Sequence, residues 1–200
     1  MTAKSIALAI PFAAALMTAN ATTPAATPVA AHIAPWRSAW TASQQAPTHT
    51  DWFPNWSEAG FDNHSVRQVI RVGAEGSELR VRLSNAYGTT PLRLTGATVA
   101  KSAGGAAQRP DTVRALRFKG AGAVTVPAGQ QLSSDPVALP VTALEQLTVT
   151  FYFQGTTGPA TFHNVAMSTS YRATGTTSAT RLRTPSRNRA TPGTTWPASM

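Results

Sequence analysis

Residues 65–83 read SVRQVIRVGAEGSELRVRL. In SVRQVIRV, Val66, Ile70 and Val72 fall on one side of an extended chain, and Arg67, Val69 and Arg71 on the other. In LRVRL, Leu79, Val81 and Leu83 alternate with Arg80 and Arg82. A period of two is the signature of a half-buried β-strand. The intervening GAEGSE contains two glycines, so the pair is read as a β-hairpin over residues 65–83. The stretch goes on as SNAYGTTPL to residue 92. There Ser84 and Asn85 are read as turn formers, and Gly88 as the residue that supplies a positive φ.

The same rhythm recurs downstream. PLRLTGATVAK (91–101) is a strand with a bulge expected at Gly96. VRALRF (113–118), AVTV (123–126) and DPVAL (135–139) are shorter strands. LTVTFYF (147–153) is the strongest, with Leu147, Val149, Phe151 and Phe153 on one face. ATFHNVAM (160–167) and STSYR (168–172) supply one or two more, while VTALEQL (141–147) is read as at most one helical turn. Seven to nine short strands at near-regular spacing imply an all-β fold. The architecture read from them is an antiparallel β-sandwich, jelly-roll-like, with a barrel as the alternative.

Composition agrees with that class. The 200 residues are 42% apolar but only 12% charged, with 14 Gly and 15 Pro. A helical bundle would carry more Glu and Lys. No cysteine is present, which excludes disulfides, thiol nucleophiles and Cys-based zinc sites. The formal charge of +9 raises the question of nucleic acid. Its distribution answers it: Lys4 lies near the N-terminus and five arginines from Arg172 onward lie near the C-terminus. The middle of the chain carries eleven basic residues against eight acidic ones. That is no clustered stripe for phosphates, and no nucleic-acid partner is expected.

The ends differ from the middle. MTAKSIALAIPFAAALMTANA has one early Lys, an apolar run and an A-x-A-like site, and reads as a signal peptide over 1–21 cleaved near Ala21. Secreted or periplasmic localisation without a stable membrane anchor is the resulting expectation. Residues 22–35 are a Pro/Ala/Thr-rich flexible leader, and 36–172 the β domain. Residues 173–200 carry four Arg, three Pro and no acid, and read as a disordered basic tail.

Few residues point to chemistry. Asp62-Asn63-His64-Ser65 holds triad residue types, but neighbours on a strand face opposite ways. His32, His49, His64 and His163 have no metal-ligand spacing, and His163 is read as a hydrogen-bonded, half-buried ring. Asp51, Glu58, Asp62 and Asp135 form no calcium loop. No catalytic residue, metal or cofactor is therefore assigned. Trp52, Phe53 and Trp56 in DWFPNW, with Tyr87, are candidate ligand-stacking residues, against the plainer reading that such rings close one end of the core. On residues alone, Arg80 and Arg82 are a solvated cationic pair about 7 Å apart.

With the strands in place, the chain resembles the N-terminal β-sandwich domain that precedes the catalytic domain in secreted SGNH (GDSL-type) hydrolases. The matching stretches include WTAS (40–43), FDNHSVRQVIR (61–71), LRVRLSNAYGTTPL (79–92), LRFKG (116–120), VPAG (126–129), SDPV (134–137), LTVTFYF (147–153), TFH (161–163) and TSY (169–171). They stand in the family's order over about residues 36–172. The resemblance implies a non-catalytic accessory domain, since the family's Gly-Asp-Ser block is absent from this sequence. It implies a hydrolase domain as partner, and a truncation or frameshift in the tail. It also implies that Arg67, Arg71, Arg80, Arg82 and Asn85 form a docking face for Arg–carboxylate forks. Ester or glycan-acetyl hydrolysis would belong to the whole enzyme. A stand-alone carbohydrate-binding module with a glycan partner is the alternative, an adhesin-like subunit a third. A monomer is expected.

Overall fold

The computed structural model describes residues 36–49, 55–175 and the backbone of 198–199. The signal peptide, the leader, most of the tail, Asp51, Trp52 and Phe53 lie outside the described residues. The elements below belong to one compact unit that begins at Arg37.

In chain order the strands are β1 (His64–Arg71), β2 (Gly76–Leu79), β3 (Arg82–Ser84), β4 (Leu92–Lys101), β5 (Arg114–Ala115), β6 (Val124–Val126), β7 (Gln131–Ser133), β8 (Val137–Val141), β9 (Gln146–Phe153), β10 (Tyr171–Thr174) and β11 (Ala198–Ser199). All pairings between them are antiparallel. The first layer has the order β10-β1-β9-β4-β5, with β6 also paired to β4. The second layer pairs β2 with β8 and β3 with β7, and β11 lies on the other side of β3. Between these short ladders, Ser134 N donates to Val81 O and Val81 N to Ser134 Oγ. Residues 76–84 and 131–141 thus run as one irregular ribbon. The chain forms an all-β antiparallel sandwich.

The expected hairpin does not form. β1 pairs with β9 and β10, whereas β2 pairs with β8. The turn after Val72 carries the chain from one layer to the other. Alternation specifies which side of a strand is apolar, not which strand lies beside it. Val66, Ile70 and Val72 meet Leu79, Val81 and Leu83 across the core, face to face.

The remaining differences are local. β4 carries its register shift between Leu94 and Gly96, at the expected bulge. VRALRF yields only the two residues of β5. Residues 131–133, not read as a strand, form β7 because they lie opposite Arg82–Ser84. ATFHNVAM is no strand; Phe162 makes an isolated bridge to Gln45. VTALEQL turns instead of coiling, with Leu144 at φ 66.

β9 is the centre of the first layer. Its inner side chains Leu147, Val149, Phe151 and Phe153 join the core. Phe153 stacks on Phe61 at 4.9 Å. Burying each phenyl stabilises by about 2–3 kcal/mol. Its outer side chains include Thr148 and Thr150, and these are fully buried too. They are covered by two crossing segments. One is the loop 102–113, closed by the Ser102–Gln108 bridge and a 3-10 turn at Pro110–Thr112. The other holds Ser168, whose Oγ donates to Val69 O. The centre of the first layer is covered on both sides, while Arg71, Arg93 and Thr95 on its outer side stay exposed.

Candidate functional site

The four candidate arginines do not share a face. Arg67 and Arg71 stand on the outer side of β1, away from the core residues Val66 and Ile70. Arg80 and Arg82 stand on the outer side of the second layer, away from Val81 and Leu83. The two pairs therefore point out of opposite sides of the sandwich. A single docking face built from all four is excluded by the arch between β1 and β2.

Arg67 is not a surface residue. It is 0% exposed. Its Nε donates to Thr150 Oγ1 at 2.8 Å, and its Nη1 to Ala106 O in the covering loop at 2.6 Å. Burial pushes its pKa down to about 10, so it stays charged at neutral pH. The loop is also held by Gln108 Nε2, which donates to Thr148 Oγ1 at 2.8 Å. Arg71, at the end of β1, is exposed, as are Arg80 and Arg82.

Asn85 is 3% exposed and presents nothing to a partner. Its Nδ2 faces three carbonyls: Thr90 O at 2.9 Å, Val126 O at 3.1 Å and Pro127 O at 3.2 Å. Its backbone O accepts from Gly88 N and Gly129 N. One amide thus ties the end of β3 in the second layer to the end of β6 in the first. Gly88 is required for closeness and not for a positive φ: a Cβ there would stand 1.8 Å from Asn85 Oδ1. Ser84 is buried as well; its Oγ donates to Gln44 Oε1 and accepts from Ala86 N.

Of the four stacking candidates, two lie among the described residues. Trp56 packs edge-on to Phe61, and the Arg172 guanidinium sits 4.6 Å over its ring. That cation occupies a face a sugar would need. Tyr87 is 47% exposed at the tip of the turn after β3, with its N–H bonded to Thr161 Oγ1.

Asp62–Ser65 forms a start to β1, as its alternation requires. Asp62 N donates to His64 Nδ1 at 2.9 Å, and Ser65 Oγ donates to Gly175 O. Asn63 takes φ 48. Burial, then the charge of Arg172, push the His64 pKa below 6.5, while Asp62 pulls it up. His163 is half-buried, with Nδ1 2.9 Å from Ser43 O. Among the described residues, no three His, Asp or Glu side chains gather where they would hold a metal ion.

Sequence reasoning missed the polar layer beneath the loop: Thr98, Thr148, Thr150 and Gln108. The signal was present in LTVTFYF, whose outer positions are two threonines and a tyrosine with no charge. A solvated face would carry ions; a covered one carries hydroxyls.

In comparison with known proteins, no family model matches the sequence, and no curated protein is significantly similar to it.

Proposed function

We propose that this chain is a non-catalytic accessory β-sandwich domain, of the kind that precedes the catalytic domain in secreted SGNH (GDSL-type) hydrolases. One observation carries the reading: Arg80 and Arg82 project side by side from the outer face of the second layer, which no segment of the described residues covers. Glu78, Ser133, Ala138 and Pro140 on the same ribbon are exposed as well. The centre of the first layer has its own cover, whereas among the described residues this second face carries none across Arg80 and Arg82. An exposed guanidinium on a rigid ribbon, here that of Arg82 beside Arg80, recognises a carboxylate through a bidentate fork. Arg67 and Asn85 drop out of the docking set because they are interior. Arg71 drops out because it points the opposite way.

The test is binding in trans. An SGNH catalytic domain, expressed without its own β domain, is titrated into this protein by calorimetry. Binding weakened at least about tenfold by the Arg80→Ala/Arg82→Ala double substitution, at unchanged Tm, supports the reading. Equal binding by the variant overturns the face, and no binding overturns the partner. The chain alone is expected to release no p-nitrophenol from p-nitrophenyl acetate above a heat-denatured control; turnover would sink the non-catalytic assignment.

A glycan-binding module is the second reading, favoured by the open ring of Tyr87. Glycan pull-down that disappears on Tyr87→Ala would establish it in place of the first.

A further inference from the structure

Beneath the loop 102–113, three buried polar atoms have no hydrogen-bond partner: Arg67 Nη2, Thr98 Oγ1 and Gln108 Oε1. They belong to one patch. Arg67, Thr150 and Thr98 are register partners on β1, β9 and β4, forming a single rung across the sheet. Gln108 reaches down to Thr148, two residues along β9 on the same side. Along β9, Thr148 and Thr150 lie about 7 Å apart, and across the sheet the backbones of Arg67 and Thr98 stand about 10 Å apart, with Thr150 between them. Two of the three atoms are donors, and one belongs to a cation. Arg67 pairs with no carboxylate among the described residues, and its other two contacts are neutral oxygens.

A buried guanidinium without a counter-charge is costly, and neutral acceptors offset only part of that cost. Water would satisfy the hydrogen bonds and leave the charge. A monatomic anion answers both demands, because it is an acceptor and carries the missing charge. We propose that Arg67 Nη2 and Thr98 Oγ1 form a buried site for a small monovalent anion of chloride's class, roofed by the loop 102–113. Gln108 Oε1, an acceptor, takes a water from the ion's shell. The ion fastens the loop to the sheet, so the loop's stability depends on the salt present. The site is independent of the docking face on the other side of the sandwich.

The full chain is melted in sodium chloride and in sodium gluconate at matched ionic strength, from 5 to about 500 mM. Chloride is expected to raise Tm by roughly 3 °C more than gluconate, as one occupied site would. The difference should vanish in Arg67→Met, which removes the guanidinium, and in Thr98→Val, which keeps the shape and removes only the hydroxyl. If Arg67→Met does not fold, Thr98→Val gives the same reading. Crystals grown in sodium bromide should show an anomalous peak within hydrogen-bond distance of Nη2. Coincident melting curves in the two salts overturn the site. So does a chloride effect that survives in Thr98→Val, or a bromide crystal with water alone at Nη2.

Discussion

The two outer faces of this sandwich began from nearly the same sequence pattern and reached opposite ends. On β1, Arg67 alternates with core residues and finishes under a loop, with no solvent contact. In the ribbon of the second layer, Arg80 and Arg82 alternate with core residues and remain exposed. The difference lies not in the arginines but in the path of the chain beyond β4. The chain leaves that strand at Lys101, crosses the outer face, and returns only at Arg114. An arginine elsewhere in the same sheet is converted from a surface charge into an interior anchor. Identical local patterns are thus assigned different jobs by a segment more than thirty residues away.

That contrast can be broken most sharply by Arg67→Ala. It leaves Thr150 Oγ1 and Ala106 O without their donor and opens a space beneath the loop. A loss of about 3 kcal/mol is expected in denaturant unfolding. A change under about 0.5 kcal/mol would mean the loop does not depend on this residue.

Next comes the tie between the layers. Gly88→Ala places a methyl against the Asn85 amide and should cost about 2 kcal/mol, with Asn85→Ala similar or larger. Urea titration reads both, and the double variant should cost much less than the sum, since both act on one contact.

Smaller effects appear in the pH profile. His64 is held neutral by Asp62 N–H and has its pKa lowered by burial and by Arg172. The unfolded chain binds that proton more readily, so its contribution is present above about pH 6.5 and is lost on acidification. Glu145 acts lower down. Burial raises its pKa, but the bonds from Lys101 and Thr142 N outweigh that and leave it depressed. Its ion pair with Lys101 spans 2.9 Å. That stability is present above pH 4.5 and falls away below it. Melting curves of His64→Gln and Glu145→Gln should each flatten their own window and leave the other.

At the small end, Arg82→Ala should change stability by less than about 0.5 kcal/mol. A larger loss would show the second face to be less open than its exposure implies.

The sequence made the layers legible but not their wiring. Val66, Ile70, Leu79, Val81 and the aromatic side of β9 were assigned to the core from alternation alone, and all are buried. Partnership was misread because the six residues GAEGSE suit a hairpin and an arch equally. The choice between them is made by β9 and β10, which take both edges of β1 and lie far along the chain. The site was legible in residue type and not in role. Asn85 was noticed as a turn former, yet its three carbonyl partners come from residues 90, 126 and 127. No local window contains them.

The arch between β1 and β2 also governs the order in which this molecule can assemble. β1 must wait for β9 and β10, which begin some eighty and one hundred residues later. During synthesis the first third of the domain emerges with nothing to pair against. Closure of such distant ends is slow, on the order of milliseconds to seconds for all-β topologies. The sandwich stays open until nearly all of its strands have been made, then closes by laying its last strands against its first.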